Sequence, residues 1–320
     1  MRTLVTGITG FVGGHLAEHL LAQGDAVTGC SRSGAWPQHL KHLRHRARLV
    51  TCDLAKPTAA EALFVDTAFD AVIHLAGLAN PRACLADPAL AHRENVQATG
   101  ELYEAIRRNG QRPQILFVST SYVYGQPTPE FLPVHTSCPI HADHPYAATK
   151  WAAEQLTLRF AESCGLDIIR VRPFNHIGPR QPAGYVVSDW AQQISAIEAG
   201  VAPPLLRVGN LDTRRDYTDV RDVVRAYRQL TREPHAGGVY NLGSGRTGSG
   251  REILHTLQVL SRVPWQVEID PARTRVDEAR EIVANANPLF DLIGWKPEID
   301  LDTTLRDTLN FWRNQQGGKP

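Results

Sequence analysis

Lysine, cysteine and methionine are all scarce in this 320-residue chain, at five, five and one, and what is missing narrows the reading. The cysteines stand at 30, 52, 84, 138 and 164 and never form a Cys-x-x-Cys pair. A zinc ribbon or disulfide framework is therefore not expected, and a reduced cytoplasmic setting follows. No carboxylate–histidine cluster has metal-ligand spacing, so no metal is expected. Nor does any apolar run approach the length of a membrane span. Met1 leads directly into an apolar strand and a glycine turn, without a basic leader or cleavage site, and neither export nor a membrane partner is expected. Charge of one sign is lacking too. Against 34 Lys and Arg stand 33 Asp and Glu, a net of +1 with the signs interspersed, which argues against nucleic acid as a partner.

What is present is an alternation of short apolar strands and amphipathic helices. Arg2 to Gly7 reads as a buried strand, and Val12, Leu16, Leu20 and Leu21 have helical spacing. Between them lies Gly7-Ile-Thr-Gly10-Phe-Val-Gly13. Glycines at a strand-to-helix junction permit a tight turn and let backbone N–H groups approach a pyrophosphate at the positive end of a helix. A second strand, Ala26 to Ser31, follows at the distance a dinucleotide-binding unit requires. Gly7, Gly10, Phe11, Val12 and Gly13 are thus candidate cofactor contacts. An acidic residue at the end of the second strand favours a free ribose 2′-hydroxyl and a basic one a 2′-phosphate. Arg32 stands there, which favours NADP(H), with NAD(H) as the alternative. Asp53, closing the strand Ala47 to Cys52, is a candidate adenine contact, though as a plain helix cap it would look the same, and Leu54 beside it is a further candidate cofactor contact. Asp70 to Gly77 is an apolar strand ending in Leu75, Ala76 and Gly77, small enough at its end to border the same ligand.

A helix is predicted from about Pro88 to Asn109, carrying Asn95, and a strand from Gln114 to Val118 that ends at Ser119-Thr120-Ser121. Further on stands Tyr146-Ala-Ala-Thr-Lys150. On a helix the two side chains share one face and can reach one bound molecule. A phenol needs a nearby cation to act as an acid–base group at neutral pH, and an ammonium can supply it. With eight Tyr and five Lys, about 0.1 such pairs are expected by chance, so the pair gains weight from the glycine turn upstream. His74 and His176 stand near strand ends, where a lone histidine is more often structural than catalytic. The strand–helix alternation predicts an α/β fold, a doubly wound parallel sheet (Rossmann) over 1–172, with a smaller C-terminal substrate-binding lobe over 173–320.

On these residues the chain resembles the extended short-chain dehydrogenase/reductase family of nucleotide-sugar enzymes, over nearly its whole length. The resemblance implies that Thr120, Tyr146 and Lys150 are catalytic and that Ser121 lies at the substrate. The stretch Arg172-Pro-Phe-Asn-His-Ile-Gly-Pro179 looks like the family's substrate loop, which gives Asn175 to the sugar phosphate. Arg215 and Arg275 match arginines that hold the nucleotide diphosphate, a task suited to the guanidinium fork. Within the family the chain looks most like the enzymes that reduce the C4 ketone of a GDP-4-keto-6-deoxy sugar, through Asn175-His-Ile-Gly-Pro, Gly184-Tyr-Val-Val-Ser-Asp-Trp and Val208 to Asp222. Dehydratases of GDP-mannose share part of the last block. Those dehydratases place a carboxylate just after the threonine, where this chain has Ser121 and Tyr122, and a hydroxyl is a poor base for carbon. A GDP-sugar substrate and a homodimer follow from the resemblance. A GDP-mannose 4,6-dehydratase, a 4-epimerase with bound NAD(P), or a non-catalytic dinucleotide sensor is the rival reading. A sensor would be expected to have lost part of the Thr/Tyr/Lys set, which is intact. One departure from the family is His144 before Pro145-Tyr146, where serine is usual.

Overall fold

The computed structural model describes residues 1–233, 238–273 and 279–317. The first half alternates β1 (Arg2–Thr6), α1 (Phe11–Ala22), β2 (Ala26–Ser31), β3 (Arg48–Thr51) and β4 (Ala71–His74). The short helices α2 (Pro81–Ala86) and α3 (Pro88–His92) follow, then α4 (Ala98–Asn109), β5 (Gln114–Val118), α5 (Pro145–Cys164) and β6 (Ile168–Pro173). Then come β7 (Asn175–Ile177), α6 (Val186–Glu198), β8 (Leu205–Val208), β9 (Arg214–Asp219), α7 (Val220–Leu230) and β10 (Gly238–Leu242). The chain finishes with β11 (Thr247–Ser249), α8 (Gly250–Leu260), β12 (Gln266–Ile269), β13 (Glu281–Ile282), α9 (Asn287–Ile293) and α10 (Leu301–Gly317).

Seven strands form one parallel sheet in the order β10-β6-β5-β4-β1-β2-β3. The chain works outward from β1 to β3 and then crosses to β4 on the other side. The order therefore reverses between β1 and β4, which opens a crevice at their carboxyl ends. Both faces of the sheet are covered, so its central strands β1, β4 and β5 are largely apolar rather than alternating. On β1, Val5 points toward Leu16, Leu20, Val223 and Tyr227 of α1 and α7, while Leu4 points toward Leu102, Tyr103 and Ile106 of α4.

The chain first leaves this sheet close to the expected boundary at 172, yet the two parts are not consecutive in sequence. β10 pairs in parallel with β6, and α7 packs its apolar stripe onto the sheet beside α1. Helix α7 and strand β10 therefore belong with the sheet and not with the lobe. The lobe itself is built from β9, flanked by β7, β11 and β13, and from the β8–β12 pair. Helices α6, α8 and α10 enclose its core around Trp190, Ile194, Leu206, Leu257 and Leu305.

The helix predicted over 88–109 is present but broken by a π turn, Arg93–Gln97. Wider winding of this kind gathers at functional sites. Here it leaves Asn95 buried, accepting from Leu78 N at 2.7 Å and donating to Thr149 Oγ1 at 3.0 Å. Among the described residues no helix is long and apolar enough to cross a membrane.

Candidate active site

A cleft of about 670 Å³ runs from the ends of β1 to β4 down to the lobe. Every site residue proposed from the sequence borders it except Arg275, which lies outside the described residues. At its floor Gly7 takes φ +69, and a Cβ there would meet Ala76 N at 3.0 Å, so the ends of β1 and β4 touch through this turn. Gly13 lies against the turn itself, since a Cβ would come within 2.2 Å of Gly7 O. Gly10 is different: its Cβ would meet only Gly7 O, at 3.2 Å, so the space over it opens to the cleft. Gly10 caps α1 without a side chain, and the first turn of α1 carries no acidic residue. The N–H groups of Phe11, Val12 and Gly13 therefore present an uncompensated positive helix end to the cleft. This cradle fits the diphosphate of a dinucleotide.

Beyond the turn, Leu75, Ala76 and Gly77 line one wall, and Asp53 and Leu54 line the far end. Asp53 Oδ1 accepts from Ala55 N at 3.2 Å and so also shapes its own loop. Arg32 lies at the rim, where its guanidinium meets Glu94 Oε1 at 3.1 Å.

Thr120, Tyr146 and Lys150 come together across the cleft from these groups. Thr120 ends the segment after β5, and its Oγ1 accepts from Tyr122 N at 3.2 Å. Ser121 is buried beside it. Tyr146 occupies the first turn of α5, after Pro145. His144 caps that helix: its Nδ1 accepts from Tyr146 N at 3.1 Å, doing with a ring nitrogen what a serine hydroxyl would do. Tyr146 is 9% exposed and meets the Tyr122 ring edge-on at 5.6 Å. Burial drives its phenol well above the ordinary range, and a hydrogen bond with Thr120 pulls it partly back.

Lys150 follows one turn later and is pushed down to about 8, by burial first, against the pull of Glu154. Its Nζ donates to Val118 O at 2.5 Å and lies 4.7 Å over the Phe117 ring. The groups that act most on Tyr146 after Thr120 are Tyr185, Tyr122 and Cys84. Lys150 thus stands one turn from Tyr146 on the same helix, with its ammonium held by a strand-end carbonyl.

Beneath Lys150 is a buried charge network that sequence reasoning missed. Glu154 and Arg172 are 0% and 4% exposed and pair at 2.6 Å. Ser119 Oγ donates to Glu154 Oε2 at 2.6 Å, and Arg172 NH1 to the Tyr124 hydroxyl at 2.8 Å. Tyr124 in turn donates to Asn241 Oδ1 at 2.7 Å, which brings β10 into the network. Glu154 falls four residues after Lys150, a spacing that could have signalled a shared helix face.

On the lobe side, Asn175 on β7 and Arg215 on β9 border the cleft. Arg215 NH1 donates to the carbonyls of Arg214 and Ala279, at 2.8 and 2.9 Å. Arg273 also lines this end and was not singled out from the sequence, although it stands two residues before Arg275. So does Tyr185, whose hydroxyl donates to Ala79 O at 3.4 Å and ties the lobe to the sheet domain across the mouth. His176 borders the cleft, but its ring is held by Phe174 O and stacks on Phe11. His74 is fully enclosed between Thr6 and Thr99, where burial lowers it to about 3, the structural role expected for it. The five cysteines are free thiols.

The sequence pattern of the GDP-mannose 4,6 dehydratase family matches residues 4–308. The chain belongs to that family, a branch of the extended short-chain dehydrogenases/reductases. Within the family it is 37% identical over 314 residues to the GDP-6-deoxy-D-mannose reductase of Pseudomonas aeruginosa, covering 98% of both chains. It is 30% identical over 318 residues to the UDP-glucose 4-epimerase of Mycolicibacterium smegmatis, covering 98% of this chain and 99% of that one. Among solved structures, RMD from Pseudomonas aeruginosa complexed with NADPH superposes with a TM-score of 0.85 at 33% identity, covering 98% of this chain and 100% of the other. The family fold is the Rossmann-like sheet described above, and its nucleotide-sugar relatives include both reductases and epimerases.

Proposed function

We propose that this family member is an NADPH-dependent reductase of the C4 ketone of GDP-4-keto-6-deoxy-D-mannose, forming GDP-D-rhamnose. The observation that carries the reading is the chemistry around Tyr146. Beside Thr120 the cleft is lined by Ser121 and Tyr122, a hydroxyl and a phenol rather than a carboxylate, and the Tyr122 ring meets that of Tyr146. Dehydration would need a base able to take a proton from carbon, and a carboxylate is the group suited to it. Ketone reduction needs only a proton donor. The 37% identity to a GDP-6-deoxy-D-mannose reductase supports the same choice.

When bound, the reduced nicotinamide supplies a hydride to C4. Tyr146 gives its proton to the developing alkoxide; a phenol kept protonated by burial can still do so, because an alcohol is the weaker acid. Thr120 shares a hydrogen bond with Tyr146 and helps to hold the ketone oxygen where charge develops. Lys150 provides a cation beside the nicotinamide ribose, and its link to Val118 fixes its position. The α1 turn holds the cofactor diphosphate, Asp53 and Leu54 contact the adenine, and Arg32 takes the 2′-phosphate. Ser121 and Asn175 contact the sugar end, and Arg215 and Arg275 the GDP diphosphate. The protein works in the cytoplasm as a homodimer paired through the Asn95 and Tyr146 helices.

Purified protein is mixed with GDP-4-keto-6-deoxymannose and NADPH, and the nicotinamide absorbance is followed. Loss of absorbance with formation of GDP-rhamnose is expected, and Tyr146→Phe should lower kcat by about 10²–10⁴-fold. Interconversion of C4 epimers without net NADPH loss would instead make the protein an epimerase. Full turnover by Tyr146→Phe would remove the assigned acid.

A further inference from the structure

We infer that Glu94 is a specificity-determining residue for the cofactor, and that it restrains the preference for NADPH. The inference rests on the nicotinamide-dependent reading given above. At the end of the second strand of such sheets a single side chain reads the ribose, acidic for a 2′-hydroxyl and basic for a 2′-phosphate. In this protein the position holds an ion pair. Arg32 lies at the cleft rim, 64% exposed, and its NH1 meets Glu94 Oε1 at 3.1 Å. Glu94 is only 13% exposed and borders the same cleft. Arg93 NH2 reaches the same oxygen, also at 3.1 Å.

Glu94 reaches the rim because of the π turn. That turn holds Asn95 inward through three hydrogen bonds, two to the backbone of Leu78 and one to Thr149. The neighbouring position is thereby directed to the crevice, 62 residues further along the chain than Arg32. A 2′-phosphate has to draw Arg32 away from Glu94 and then lie near a carboxylate of its own sign. A 2′-hydroxyl meets neither cost and can donate to that carboxylate. The Arg32–Glu94 pair therefore accepts both cofactors, and the carboxylate narrows the margin between them.

The test is equilibrium titration of the purified, cofactor-free protein with NADPH and with NADH, read by nucleotide fluorescence. In Glu94→Gln the ratio Kd(NADH)/Kd(NADPH) is expected to rise about two- to fivefold over the wild type, the scale of a partly exposed ion pair. Arg32→Ala should lower the ratio below the wild-type value. Glu94→Asp, which draws the carboxylate back by one carbon, should raise it in the same direction and serves if the Gln variant fails to fold. A ratio unmoved by both Glu94 variants, with both nucleotides still bound, overturns the role of Glu94 and leaves the reductase reading intact. Wild-type protein that binds neither nucleotide overturns both.

Discussion

Replacing Glu154 by Gln tests whether the site rests on a buried charge. The carboxylate accepts from Arg172 through both oxygens, at 2.6 to 3.2 Å, and from Ser119 at 2.6 Å, with no measurable exposure. A glutamine keeps one acceptor and turns its amide donor either toward Arg172, which can only donate, or toward Ser119, whose hydroxyl can accept it, so the opposite charge is lost whichever way it faces. Arg172 would retain the Tyr124 hydroxyl and Thr136 O, but no opposite charge. Removing one partner of such a pair costs about 3–5 kcal/mol. Against a typical total of about 5–15 kcal/mol, that is a large share of the stability. Denaturant unfolding followed by circular dichroism should show a clearly lower midpoint with an unchanged slope. The double replacement Glu154→Leu with Arg172→Met should recover much of the loss, since exchanging a whole buried pair for apolar groups is often close to neutral. A Glu154→Gln cost below about 1 kcal/mol would refute the reasoning, because Arg172 would then have another source of charge compensation.

Two further outcomes follow from the geometry. Lys150 titrates at about 8 in the folded protein, below its ordinary value of 10.5. The kcat/KM profile should therefore lose activity as pH rises through 8, and Lys150→Arg should remove that limb even if it is slow. Stability should move the other way over the same window: between about 8 and 10.5 the unfolded chain binds the extra proton, so this residue's contribution to unfolding free energy rises with pH. An alkaline limb unchanged in Lys150→Arg would sink the assignment. In the glycine turn, Gly13→Ala places a Cβ 2.2 Å from Gly7 O. Overpacking of this kind costs about 1–3 kcal/mol and should weaken nucleotide binding, read as a lower melting temperature together with a raised Kd for NADPH. A variant indistinguishable from the wild type would show that α1 can lift from the turn.

The parts of the site that were legible in the sequence are those whose chemistry is local. The glycine turn joins one strand to the next helix, and Tyr146 and Lys150 are one turn apart, so spacing alone places each. Arg32 was legible by position, but its partner was not. Glu94 reaches the rim only because the helix winds wide at Arg93–Gln97, and the side-chain bonds of Asn95 that favour that winding join it to residues far off in sequence. The allegiance of β10 was hidden for a similar reason. The expected lobe over 173–320 took in this strand, but the sheet that a strand joins is settled by distant pairing, here with β6. His144 departed from the expected serine, and the structure shows a different atom performing the same capping bond.

The return of α7 and β10 to the large sheet has a further consequence. A fragment ending at residue 172 would leave β6 as a bare edge strand, with the apolar stripe of α1 uncovered where α7 now lies. Asn241, which completes the hydrogen bonds of Tyr124, would be gone as well. The packing of the nucleotide half is thus completed by residues that follow much of the lobe in sequence, and changes in the sugar-facing loops act on a scaffold that is stitched through both halves.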